Sequence, residues 1–314
     1  MKVSSAPGAA FLFGEHAVVY GEPAVLAAVD QRVCVSAEPS DGEDVYVTEV
    51  EDDSYVELAV ELVRESLDEE NVTDTYDDVG FSDGVELTVD TGLPVGAGLG
   101  SSAAVSVATL DAVSRLYGVE RDANWLVENG REVERRVQGE ASISDSATAV
   151  HGGLVAVNFD GKDSCTGLEP WRLNFSPTLV VACDGGRAPT GEMVSGVEDL
   201  VESYGSVGKV VDAIGEVSRE GMAMIEDGEI EEVAELMNVN HGLLSALGVT
   251  SRSLDRLVYE ARETGALGAK MTGAGGSGSI IALTRDPEDA EGLEFDSAEL
   301  VFTSTLSNGL RRLE

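Results

Sequence analysis

Leu93-Pro-Val-Gly-Ala-Gly-Leu-Gly-Ser-Ser-Ala-Ala104 follows a segment in which Val85, Leu87 and Val89 alternate with polar neighbours. It precedes Val105, Ala108, Ala112, Val113 and Leu116, which fall on one helical face. Period-two alternation predicts a half-buried strand and the 3.6-residue spacing predicts a helix, so the glycine stretch is the turn between them. Glycines let a backbone approach a bound group closely, and the N-terminus of the next helix turns free N–H groups toward it. Gly96–Ser102 therefore has the parts of an anion site. Ser101 and Ser102 add hydroxyls able to cap the helix or reach a phosphate-bound cation. Taken alone, the stretch also reads as a structural turn before a capped helix. It is not a P-loop, since no Gly-Lys-Ser/Thr follows, and Ser101 stands where the dinucleotide fingerprint has its third glycine.

Working outward, residues 1–40 alternate apolar runs at Ala10–Phe13, Ala17–Tyr20, Ala24–Val29 and Val33–Val35 with glycine and proline, a pattern of strands and turns. Val56, Leu58, Ala59, Val60, Leu62 and Val63 carry helical spacing, and the acidic tract Asp68–Asp78 reads as an exposed loop. A second helix is predicted over Ala123–Val137 in spite of Gly130, which costs about 1 kcal/mol relative to alanine in a helix interior. Gly152-Gly153 and Leu154–Phe159 return to strand, and the aperiodic Asp160–Pro170 reads as a domain boundary. Beyond it, Thr178–Cys183 reads as a strand, and Gly191–Tyr204, Gly208–Glu226, Ile230–Leu247 and Ser253–Thr264 read as helices. Ile280–Leu283 and Glu299–Thr303 read as further strands. Mixed helix and strand without an internal repeat gives an α/β or α+β class in two domains.

The chain has 314 residues, 43% of them hydrophobic, enough to bury one large core or two smaller ones. Its 59 acidic and 20 basic side chains give a net charge of −39. A surface this acidic repels phosphodiester backbones and anionic lipid, which argues against nucleic acid and membrane partners and leaves small ligands. Four of the cations are lysine (Lys2, Lys162, Lys209 and Lys270), the rest arginine, and acids occur along the whole chain, the pattern of adaptation to high salt. Cys34, Cys165 and Cys183 are odd in number and lack metal-ligand spacing, so reduced thiols are expected. No apolar run approaches the roughly 18 residues of a membrane span and no secretion-signal pattern opens the chain, so a cytoplasmic location is expected.

Three segments taken together carry further. Ser5-Ala-Pro-Gly-Ala-Ala-Phe-Leu-Phe-Gly-Glu-His-Ala-Val-Val-Tyr-Gly21, Pro94–Ala104 and Lys270-Met-Thr-Gly-Ala-Gly-Gly-Ser-Gly278 resemble, in order and spacing, the three signatures of the GHMP small-molecule kinases. Supporting stretches are Gly139-Glu-Ala-Ser-Ile-Ser-Asp145, Thr190-Gly-Glu-Met-Val194 and Met237–Gly248. The resemblance implies an α+β fold with an N-terminal ATP-binding lobe of the ribosomal-protein-S5-like type, residues 1–160, and a C-terminal ferredoxin-like lobe, residues 161–314. The Gly-Glu-His-Ala-Val-Val-Tyr-Gly form of the first signature is similar to the branch acting on mevalonate. It implies transfer of a phosphoryl group from ATP to mevalonate's primary hydroxyl, with Mg²⁺ as cofactor, by a monomer or homodimer.

Residue by residue, the resemblance makes Pro94, Gly96, Gly98, Leu99, Gly100, Ser101, Ser102 and Ala103 the ATP-binding loop and Ser102 with Glu134 the Mg²⁺ ligands. Asp145 becomes the catalytic base that accepts the alcohol proton. Glu15, His16, Arg187, Thr190 and Gly275 fall at substrate-lining positions, His16 to hydrogen-bond a hydroxyl or carboxylate and Arg187 to pair with a carboxylate. Without the resemblance, Glu134 reads as a solvated helix carboxylate among Glu132, Arg135 and Arg136, Asp145 as a turn or cap residue, and His16 as a structural histidine. Asn240 and His241 read as structural.

Two positions depart from the family's pattern. Where the first signature carries lysine after Ala-Pro-Gly, this chain has Ala9. That keeps open a related hydroxy acid as substrate, or a catalytically weak relative that binds nucleotide or isoprenoid metabolites. The stretch Asp286–Leu293 is also short for the helical crossover of a ferredoxin-like lobe. The charge imbalance makes a prediction of its own. Between molar and about 0.1 M KCl the Debye length grows from roughly 3 to 10 Å, so unscreened carboxylates should lower the thermal midpoint steadily; a midpoint indifferent to dilution would refute salt adaptation.

Overall fold

A computed structural model describes residues 1–40, 45–48, 53–69, 84–139, 141–157, 169–171, 177–187 and 190–313. The first lobe opens with two long strands, β1 (Lys2–Phe13) and β2 (Ala24–Ser40), followed by β3 (Val45–Thr48), α1 (Ser54–Glu69), β4 (Gly84–Thr91), α2 (Ser101–Leu116), α3 (Ala123–Gln138), α4 (Ser144–His151) and β5 (Leu154–Val157). The chain continues through β6 (Glu169–Trp171), β7 (Thr178–Cys183), α5 (Thr190–Ser203), α6 (Gly205–Asp227), α7 (Ile230–Ala246), α8 (Arg252–Thr264), β8 (Gly268–Met271), β9 (Ser279–Thr284), α9 (Pro287–Glu291), β10 (Leu300–Ser304) and β11 (Arg311–Leu313).

Two sheets result. Among the described residues the first runs β11-β1-β2-β4-β3, and β5 and β6 extend it from the other end of β2. Helices α1 to α4 cover it, and Val60, Val63, Leu87, Val107 and Leu110 meet in its core. The second runs β10-β7-β9-β8, antiparallel throughout, the strand order of a ferredoxin-like lobe, and buries Val180, Ala182, Ile280 and Ala282 against α8 and its neighbours. The fold is the α+β arrangement that the sequence predicts.

Local chemistry sets the helix ends. Asp122 accepts from the Trp125 N–H at 2.8 Å to start α3, and Ser251 accepts from the Leu254 N–H at 3.3 Å to start α8. Gly130, unfavourable on propensity, is required by packing: a Cβ there would lie 2.8 Å from Ser146 Oγ and 3.0 Å from Val107 Cγ2, so glycine lets α3 close onto α2 and α4.

Several expectations change. Ala17–Tyr20 is a 3₁₀ turn rather than a strand, because the chain must reverse between β1 and β2, with the Val18 N–H bonded to the Gly14 carbonyl. The other three runs of residues 1–40 merge into two strands, since β2 carries straight through Asp30–Arg32. Asp68 and Glu69 end α1, and the rest of the acidic tract lies outside the described residues, as do Phe159, Cys165 and most of Asp160–Pro170. The short stretch before β10 still holds one helical turn, α9.

The sequence gives no warning that the chain end returns to the first sheet. β11 pairs with β1, and Arg32 binds the approach to it, donating to Ser307 Oγ at 2.8 Å and to the carbonyls of Asn308 and Gly309 at 2.7 and 2.8 Å. Arg312 reaches Asp111, which is fully buried on α2 and also accepts from Ser4 Oγ at 2.7 Å.

Candidate active site

A cavity of about 180 Å³ opens between the two sheets. Its wall includes Gly96, Gly98, Leu99, Gly100, Ser101 and Ser102 from the turn before α2, and Glu134 and Gln138 from α3. Ser142 and Asp145 enter at the start of α4, Phe11, Glu15, His16, Val18 and Val19 after and within β1, and Thr190, Val194, Gly273 and Ala274 from the second lobe.

The glycine turn is built to bring backbone to the cavity. Gly96, Gly98 and Gly100 have φ of 73, 75 and 62°, values that a β-carbon penalises. At Gly100 a Cβ would lie 3.1 Å from Asp145 Oδ1 and 3.2 Å from Ala9 Cβ, so glycine is what allows the helix start, the Asp145 carboxyl and the strand to converge. Gly100 caps α2 without any side-chain bond, in contrast to α3 and α8, so the first-turn N–H groups keep their capacity for an anion.

Two acids face this helix end. Ser102 Oγ donates to Glu134 Oε1 at 2.7 Å. Glu134 is 5% exposed, and burial, reinforced by the charge of Asp145, raises its pKa to about 8. Burial likewise raises Asp145 to about 6. Each carboxyl thus holds its proton more tightly than in water.

The far wall is held by an ion pair. Lys270, wholly buried on β8, donates to Glu15 and to the carbonyls of Phe11 and Met271, at 3.2 and 2.6 Å. Asn240 Nδ2 donates to the second Glu15 oxygen at 3.0 Å, and Thr272 Oγ1 accepts from the Phe11 N–H at 2.8 Å. His16 follows with φ 61°, a strained value for a non-glycine residue, and its Nε2 donates to the Ala274 carbonyl at 2.9 Å. Burial lowers the His16 pKa, so the ring is neutral near pH 7, and with Nε2 protonated its Nδ1 is an acceptor.

Residues 54–153 match the N-terminal domain of the GHMP kinases and residues 222–294 match the GHMP kinase C-terminal domain. The chain is 35% identical to the mevalonate kinase of Pyrococcus furiosus, over 98% of this chain and 97% of the relative. It is 37% identical to that of Thermococcus sibiricus over the same shares. The chain belongs to the GHMP kinase family. In fold it is similar to L. major mevalonate kinase in complex with R-mevalonate, with a TM-score of 0.83, 24% identity and coverage of 97% and 95% of the two chains.

In this GHMP kinase the three signatures meet at one cavity, but not every residue the resemblance points to reaches it. Pro94 stands outside the wall and Ala103 is buried in α2. Arg187 lies exposed beside the glycine turn, its Cγ 3.1 Å from where a Cβ on Gly96 would be. Gly275 is turned onto the Val249 carbonyl, so Gly273 and Ala274 line the cavity in its place. Glu15 reaches the wall as the partner of Lys270. His241 sits behind, 3.3 Å from Asp255. The Lys270 pairing is the contact that sequence reasoning misses, although a lysine heading a glycine run, one of four in the chain, was a signal for it. Gln138 and Ser142 carry none.

The raised carboxyls imply a pH dependence of stability. Glu134 keeps its proton in the fold up to about pH 8 but loses it near 4.5 when unfolded, so the unfolded chain binds fewer protons between those values. Stability therefore falls as pH rises through that window. In chelator and without nucleotide, urea melts at pH 5 and pH 8 should show the wild type losing at least about 1.4 kcal/mol more than Glu134→Gln. Equal losses would place the Glu134 carboxyl in water-like surroundings.

Proposed function

We propose that this GHMP kinase transfers the γ-phosphoryl group of ATP to the primary hydroxyl of mevalonate, in the cytoplasm, as a monomer or homodimer. The observation that carries this reading is the convergence at one cavity of an uncapped helix start, the Ser102–Glu134 pair and Asp145. Mevalonate kinases as relatives over nearly the whole chain give the substrate. Among the described residues no helix is long and apolar enough to cross a membrane.

Phosphoryl transfer needs positioning and charge stabilisation more than covalent help. The N–H groups at the start of α2 and the Gly96–Ser102 backbone hold the phosphates. Glu134 and Ser102 are hard oxygen donors, and a cation binding beside the buried Glu134 carboxyl would displace the proton that burial keeps on it and leave a carboxylate ligand, which fits Mg²⁺. Among the described residues no group of three or more His, Cys, Asp or Glu side chains is placed to hold a metal ion. When bound, such an ion would supply positive charge to offset that of the phosphates. Asp145 accepts the proton as the alcohol oxygen bonds to phosphorus and the bond to ADP breaks; its raised pKa makes it a stronger base while it stays ionised at neutral pH. His16, an acceptor at Nδ1, suits a substrate hydroxyl rather than a carboxylate. Residues 1–160 and 161–314 form the two domains of this reading, with β6 and β11 from the second crossing to the first sheet.

A coupled ADP-release assay in multimolar KCl, with mevalonate and a panel of hydroxy acids, tests the assignment. Mevalonate should be used with the highest kcat/KM, and Asp145→Asn should lower kcat about 10²-fold or more while leaving the KM for ATP nearly unchanged. Better use of another hydroxy acid, or nucleotide binding without turnover, would replace this reading.

No lysine or arginine lines the cavity among the described residues, and Ala9, 2% exposed, stands where a family lysine would. A cation beside the attacking oxygen is worth about 10²-fold in rate. Ala9→Lys should then raise kcat at least about tenfold. No gain, together with loss of activity in Arg187→Ala, would mean that Arg187 supplies the charge instead.

A further inference from the structure

We propose that Asp184 is a positioning residue for the nucleotide phosphates, its carboxylate fixing the glycine turn of one lobe from the edge of the other. The proposal rests on the reading of Gly96–Ser102 as the phosphate cradle. Asp184 follows β7 and does not line the cavity. Its Oδ1 accepts from the N–H groups of Gly186 and Gly278, each at 2.9 Å, and from Ser277 Oγ at 2.9 Å. Its Oδ2 accepts from Ser253 Oγ at 2.6 Å, and its own N–H donates to the Gly278 carbonyl at 2.8 Å. Burial pushes the carboxyl pKa upward, and the bonds from Ser253, Gly278, Gly186 and Ser277 outweigh it, so the group is held below the usual carboxylate range.

Both backbone segments that Asp184 grips bear on the cradle. A Cβ at Gly278 would lie 2.8 Å from the Ala97 carbonyl oxygen, and one at Gly273 would lie 2.8 Å from that of Gly98, so the third glycine run supports the first backbone to backbone. Gly186 leads into Arg187, whose stem lies against Gly96. Moving either segment shifts the N–H groups offered to the phosphates, whereas the Asp145 side of the cavity hangs on α4 and β1.

Steady-state kinetics of Asp184→Ala and Asp184→Asn separate this role from a merely structural one. In Asp184→Ala the KM for ATP should rise about tenfold or more, with kcat and the KM for mevalonate within about threefold. Asp184→Asn should restore most of it, because the amide oxygen still accepts both backbone N–H groups and its NH₂ can donate to the serines. If the alanine variant does not fold, Asp184→Ser, which keeps one acceptor, carries the same test. An unchanged KM for ATP, an equal rise for mevalonate, or an asparagine variant as impaired as alanine would overturn the proposal. Calorimetric binding of Mg·ATP to Gly98→Ala distinguishes the two failures. Intact binding there removes the cradle reading and Asp184 with it, whereas lost binding beside an unaffected Asp184→Ala removes only Asp184.

Discussion

Lys270 and Glu15 lie against each other with almost no exposed surface, one on the second sheet and the other just past the first strand of the first. Burial drives the lysine pKa down and the glutamate pKa up, and their mutual attraction and hydrogen bonds oppose both shifts. An ion stripped of water costs several kcal/mol, so either group without the other would be expelled or neutralised. Buried pairs of this kind add little net stability compared with apolar residues of equal volume. What this one adds is alignment. The ammonium also binds the Phe11 and Met271 carbonyls, so the lobes cannot slide by a fraction of a residue without stranding a charge. The Phe11–Thr272 and His16–Ala274 bonds fall in register behind it, and the cavity wall is the result.

That wall is acidic, on a chain that is already strongly anionic. Of the carboxyls that reach it, Glu15 is paired with Lys270 and Glu134 holds its proton to about pH 8, so Asp145 carries the charge, and His16 is neutral. An anionic substrate therefore finds its attraction in backbone N–H groups and in the start of α2, equivalent to about half a positive charge. Such local dipoles act over a few ångströms, while the repulsion from a net charge of −39 extends over a Debye length. Molar salt contracts that length to roughly 3 Å and leaves the short-range attraction nearly intact. On the reading of this chain as salt-adapted, salt serves ligand capture as well as folding, and both follow from one surface composition.

The elements that sequence makes legible are those whose signal is local. Alternation at Val85, Leu87 and Val89 and the helical face from Val105 to Leu116 mark β4 and α2, and the resemblance of three glycine-bearing segments brings the cavity together before any coordinates. What stays hidden depends on distant partners. Arg311–Leu313 become a strand only because β1 offers an edge, and Ala17–Tyr20 turn because two long strands must connect. Gly130 reads as a flaw until Ser146 and Val107 are seen against it. Gly275 and Gly273 share one motif and are indistinguishable by type, yet the Val249 carbonyl claims the first and leaves the second at the cavity.

The same contacts decide where the molecule can yield. The lobes are joined at Lys270, at the facing glycine runs, and through the returning chain end, where Arg32 and Asp111 bind residues 307–312. Opening the cavity by rotating one lobe would break a buried ion pair and the hydrogen bonds of β11 together, a concerted loss that thermal motion rarely meets. Helix α5 is differently placed. Among its described side chains only Val197 is buried, and its first turn supplies Thr190 and Val194 to the wall. Val201 packs partly buried against the second core beside it, so α5 rests on a narrow apolar stripe. The ion pair, the facing glycine runs and the returning chain end thus fix the seam behind the cavity, while α5 adds to its wall from a less deeply buried element.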